Sequence, residues 1–80
     1  MIVGVKNVQP IKDYKLMLTF ANDERKIFDM NPYLCTGIFS ELKDETIFKS
    51  VHVSFDTIEW SNGADLCPEV LYADSTPVEI

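Results

Sequence analysis

The chain has 80 residues, 46% of them apolar, and its 7 basic and 13 acidic side chains leave a net charge of −6. That length excludes a second domain and a large core, the apolar share excludes disorder, and two cysteines exclude a disulfide-dense scaffold. The negative balance repels phosphate backbones, so direct nucleic-acid contact is not expected and a basic partner protein suits it better; separately, the small core leaves a partner or a second copy of the chain as its staple.

The first residues, Met1 to Asn7, lack the basic start, apolar run and small-residue cleavage site of a secretory leader. No apolar run reaches the length of a membrane span. The expectation is a cytoplasmic protein with no membrane contact, in which Cys35 and Cys67 stay reduced.

Ile2 to Val8 is rich in Val and reads as a strand that Pro10 brings to an end. Tyr14, Leu16, Leu18 and Phe20 alternate with Lys15 and Thr19, the period of a half-buried strand. The polar stretch Ala21 to Glu24 then turns the chain into a returning strand, Arg25 to Met30, which completes an antiparallel hairpin. Asn31-Pro32 suits a helix start, with Asn as the cap and Pro where the missing N–H has no partner. Gly37 interrupts that helix. Phe39 and Leu42 mark a second attempt, and Asp44 can cap a third turn holding Ile47 and Phe48.

Val51, Val53 and Phe55 alternate with His52, Ser54 and Asp56, which predicts a further strand with the Val and Phe side chains on one face. A tight turn leads to Thr57–Trp60, with Ile58 and Trp60 facing the core. Asn62-Gly63 marks a turn, because Gly takes positive φ without steric cost. Pro68 predicts a short helix, with Asp65 or Cys67 at its cap and Cys67 favoured by the Pro that follows.

The order of elements predicts an α+β fold: a small antiparallel sheet of about five strands, a broken helical segment over residues 31–49 on one face, and a short C-terminal helical turn. Residues 1–73 form the domain, and residues 74–80 are expected to be a loose tail.

Catalytic patterns are weak. His52, Ser54 and Asp56 share one strand face, but neighbours along a strand point in parallel and do not converge on one atom. Cys35, Cys67 and His52 lack the paired short spacings and the four ligands of structural zinc. Among the carboxylates Asp65 stands out, as a turn acceptor for backbone N–H groups or as a partner for the Trp60 indole, a role a turn carbonyl can also fill.

Taken together, Phe28-Asp29, the Pro32–Leu34 helix start, the Phe39-x-x-Leu42 pair and the closing run Trp60-x-Asn62-Gly63-x-Asp65-Leu66-x-Pro68-x-x-Leu71-Tyr72 resemble a widespread bacterial group of short domains of unknown function. The resemblance spans residues 2–73 and implies an α+β fold without an established activity. Members of that group stand alone or ahead of a helix-turn-helix domain, and some look like the smaller half of toxin–antitoxin-type pairs. This chain departs from the pattern at Asn22-Asp23, where Asn-Gly is usual, and at Cys67, where a small hydroxyl residue or Ala is usual.

The expectation is therefore not an enzyme but a protein–protein interaction module, with the antitoxin-like member of a two-protein system as its sharper form. The alternative is a small-molecule-binding or regulatory domain with a pocket between the sheet and residues 31–49. No cofactor and no metal are expected. The motif residues Trp60, Asn62, Gly63, Asp65 and Tyr72 are the candidates for interaction.

Overall fold

A computed structural model describes residues 3–78. Ile2, where the first strand is expected to begin, and residues 79 and 80 of the expected tail lie outside them. In chain order the elements are β1 (Val5–Ile11), β2 (Lys15–Phe20), β3 (Arg25–Asp29), 3-10 helices at Asn31–Tyr33 and Gly37–Lys43, α1 (Glu45–Phe48), β4 (His52–Ser54), β5 (Thr57–Glu59), β6 (Asp65–Leu66), α2 (Pro68–Asp74) and β7 (Thr76–Pro77). The fold is α+β and antiparallel throughout, but its strands divide into two sheets. One has the order β1-β2-β3-β7 and the other β4-β5-β6.

The β2–β3 hairpin runs in register from Lys15↔Asp29 to Thr19↔Arg25. Its apolar positions behave as their alternation requires, with Leu16, Leu18 and Phe20 fully buried. Tyr14 instead sits in the preceding turn with φ +57, and its hydroxyl donates to the Lys43 carbonyl at 2.6 Å. The helical segment is broken as expected. Asp44 caps α1 by accepting the Thr46 N–H at 2.9 Å. At Asn31-Pro32 the cap is not the Asn side chain; Met30 stands at the cap position, and Asp29, two residues before Asn31, accepts the Asn31 N–H at 2.9 Å.

Two expectations about chain ends are corrected. Pro10 does not end the first strand, because β1 pairs on to Ile11↔Lys15. β1 lies at the edge of its sheet, where a residue without an N–H is tolerated. The stretch after residue 73 is not a loose tail over its described part. α2 continues to Asp74, Ile27 pairs with Thr76, and the Val78 N–H reaches the Arg25 carbonyl at 3.0 Å. This short strand covers the outer edge of β3, which would otherwise expose unpaired backbone groups.

One core serves both sheets. Val5, Leu16, Leu18, Phe20 and Phe28 from the larger sheet meet Leu42, Phe48, Ile58, Trp60 and Leu71. The sheets are also joined through the backbone: the Val5 N–H donates to the Asp56 carbonyl at 2.7 Å. Gly4 makes that approach feasible, since a Cβ there would stand 2.9 Å from the Asp56 Cβ.

Candidate functional site

The closing motif divides in the fold. Trp60 is buried, and its indole N–H donates to the Phe48 carbonyl at 3.1 Å, so a carbonyl and not Asp65 satisfies it. Asn62 holds the turn, accepting the Ala64 N–H at 3.1 Å, and its amide reaches Glu41 Oε1 at 3.1 Å. Gly63 supplies φ +89. These three therefore fasten the corner to the helical segment. The turn acceptor is Asn62; Asp65 lies exposed in β6, opposite Glu59. Tyr72 is in another place again. Its ring packs edge-on against Phe20 at 5.0 Å, Lys26 Nζ lies 3.8 Å over its face, and its hydroxyl donates to Glu24 at 2.9 Å. The five motif residues thus build three separate joints and do not form one site.

His52 faces solvent beside Glu59, with Nε2 to Oε1 at 3.5 Å, in a cross-strand row that continues to Asp65. Ser54 lies opposite Thr57. No group of three or more His, Cys, Asp or Glu side chains is placed to hold a metal among the described residues. Cys67 caps α2 through its backbone, and both cysteines are exposed.

The most unusual residue lies at the tip of the β4–β5 hairpin. Phe55 and Asp56 join the strands with φ +49 and +68, the left-handed pair of a type I′ turn. Such turns take Asn, Asp or Gly, and a bulky side chain there is held against a steric penalty. Phe55 gains nothing in return from the core, because it is 99% exposed. The alternation had assigned it to the buried face with Val51 and Val53. A two-residue turn ends that alternation, and Val53 is itself 38% exposed. The signal that could have found Phe55 was present: a turn this short between Ser54 and Thr57 must consist of residues 55 and 56.

The tip also belongs to a charged stretch of the chain. Beyond residue 50 come Asp56, Glu59, Asp65, Glu69, Asp74 and Glu79, with no Lys or Arg among residues 51–80. All 7 basic side chains precede residue 50 and are matched there by the other acids. The net charge of −6 therefore belongs to the part of the chain that forms β4–β6, α2 and β7.

A recess of about 240 Å³ opens elsewhere, between the β1–β2 turn and α1. Pro10, Ile11 and Phe48 give it an apolar lining, while Lys12, Asp13, Glu45 and Lys49 bring both signs of charge. It lies between the sheet and the helical segment, where a pocket is expected.

The family model for a protein of unknown function, DUF2442, matches residues 5–77, and the chain belongs to that family. No curated protein and no solved structure matches it.

Proposed function

We propose that this DUF2442 protein is a protein–protein interaction module whose contact surface is the β4–β5 hairpin tip. The observation that carries this is Phe55: an aromatic ring 99% exposed on a backbone with φ +49. Exposed apolar side chains on their own are ordinary, but one held in a strained turn has two costs and no return within the monomer. Aromatic residues are enriched among the few that dominate binding. The Asp56 anchor to Val5 keeps the tip from swinging freely, which lowers the entropy lost on docking.

The partner that fits is a protein with an apolar recess and cations at its rim, since Asp56 adjoins the ring and residues 51–80 carry no Lys or Arg. The sharper form of this proposal is the acidic member of a two-protein system.

Immobilised protein is expected to retain a stoichiometric partner, a second copy included, that the Phe55→Asn variant does not retain. Identical recovery on both surfaces overturns the assignment of the tip.

A further inference from the structure

The corner between β5 and β6 holds a pair of residues that the fold keeps from reacting. Four Asn occur in the chain, and only Asn62 is followed by Gly. Asn7 precedes the β-branched Val8, Asn22 precedes Asp23, and Asn31 precedes Pro32, which has no N–H to lose. We propose that Asn62-Gly63 is a self-modification site: the pair deamidates when the corner opens, and the product keeps the corner from closing as before.

The reaction needs only water. The Gly63 backbone nitrogen gives its proton to solvent and attacks the Asn62 side-chain carbon Cγ. An N–Cγ bond forms, the Cγ–Nδ2 bond breaks, and Nδ2 takes up a proton and leaves as ammonia. Water then opens the cyclic imide at either carbonyl. One opening leaves an ordinary aspartate, and the other an isoaspartate with the chain routed through the side chain. Nothing is oxidised or reduced. Gly63 brings no side chain to shield its nitrogen, and the space a Cβ would enter there is empty to 4 Å.

In the closed corner the reacting groups are all engaged. The Gly63 N–H donates to the Trp60 carbonyl at 2.9 Å, and the Trp60 N–H to the Ala64 carbonyl at 2.9 Å. Residues 61–63 therefore form a short hairpin loop that ends on Gly63 at φ +89. Asn62 Oδ1 accepts the Ala64 N–H at 3.1 Å, while Nδ2 donates to Glu41 Oε1 at 3.1 Å and to the Ile38 carbonyl at 3.4 Å. Cyclisation has to break the Gly63 bond and draw the Asn62 amide away from these partners.

After deamidation the corner no longer fits. A carboxylate has no N–H to give, so the Glu41 carboxylate and the Ile38 carbonyl face oxygen where they faced an amide. Isoaspartate also lengthens the backbone of a loop whose length sets the strand pairing. A single opening can thus leave a lasting mark, which separates copies that have opened from copies that stayed folded.

Peptide mapping by mass spectrometry tests this on the full chain, held at mildly alkaline pH with and without urea. Asn62 is expected to convert ahead of Asn7 and Asn22, and about tenfold or more slowly in the folded chain than in urea. Glu41→Ala removes one hold on the amide from an exposed position. It should speed the folded-state reaction and leave the rate in urea unchanged. Asn62→Asp keeps an acceptor for the Ala64 N–H and should lower stability to urea. Adding Glu41→Gln restores a donor at the contact and should recover much of that loss. Equal rates with and without urea overturn the restraint by the corner. Faster conversion at another Asn overturns the site, and an Asn62→Asp chain as stable as the wild type overturns the lasting effect.

Discussion

At the scale of single residues, strain and charge are both open to test. Replacing Phe55 by Asn removes a bulky side chain from a left-handed position that Asn accepts. Stability is expected to rise by about 1 kcal/mol, or roughly 4–8 °C in Tm for a domain of this size, while association falls. A drop in Tm would show that the ring stabilises the monomer. Asp29 is the second case. The Asn31 N–H, then the Asn31 side chain, hold its carboxyl below the usual carboxylate range. Its folded-state value is depressed, so its contribution is present above the ordinary Asp value and is lost as pH falls through the folded value. Asp29→Ala should cost about 1 kcal/mol at neutral pH, as a lost cap does. It should also flatten the acid limb of a stability–pH profile measured by urea titration. The exposed Asp23 carboxyl is likewise lowered, by its hydrogen bond to Lys6 and by that residue's charge.

At the scale of elements, Gly4 decides how the two sheets meet. A methyl group there would press on the Asp56 Cβ from 2.9 Å. Gly4→Ala is expected to lose about 1–3 kcal/mol, the usual range for overpacking. NMR should place the shift changes at Val5 and Ser54–Thr57 and leave the β2–β3 hairpin undisturbed. The same elements show how far the chain could be read in advance. Leu16, Leu18 and Phe20 declared β2 because local alternation and burial agree there. Asp44 and Gly63 declared a cap and a turn because their chemistry is local. Phe55 misled because alternation has no term for a turn that ends it. The division into two sheets and the pairing of Thr76 with Ile27 rest on contacts between distant parts of the chain, which no local pattern encodes. Of the surface proposed as functional, the acidic charge and the two-residue turn at 55–56 were legible in the sequence, but the contact of Gly4 with Asp56 was not.

At the scale of the whole molecule, uneven charge and uneven connectivity divide the chain in the same way. β1, β2 and β3 follow one another as a meander and carry Lys6, Lys15, Arg25 and Lys26. The β4–β6 sheet carries only acids and His52 as its titrating residues. The hydrogen bond from Val5 to Asp56 joins these parts across most of the chain's length. Its consequence lies in the order of folding. Meander contacts close short loops and form early, whereas the Val5–Asp56 contact must wait for a long loop to close. β2, flanked on both sides, should hold the most slowly exchanging amides in native-state hydrogen exchange. The Val5 amide, although it belongs to the same sheet, should exchange at the rate of the β4–β5 hairpin, because its bonded partner lies there. Equal protection at Val5 and Leu18 would mean that the molecule opens only as a whole. Otherwise Val5 marks in time the seam along which the protein is last to close and first to part.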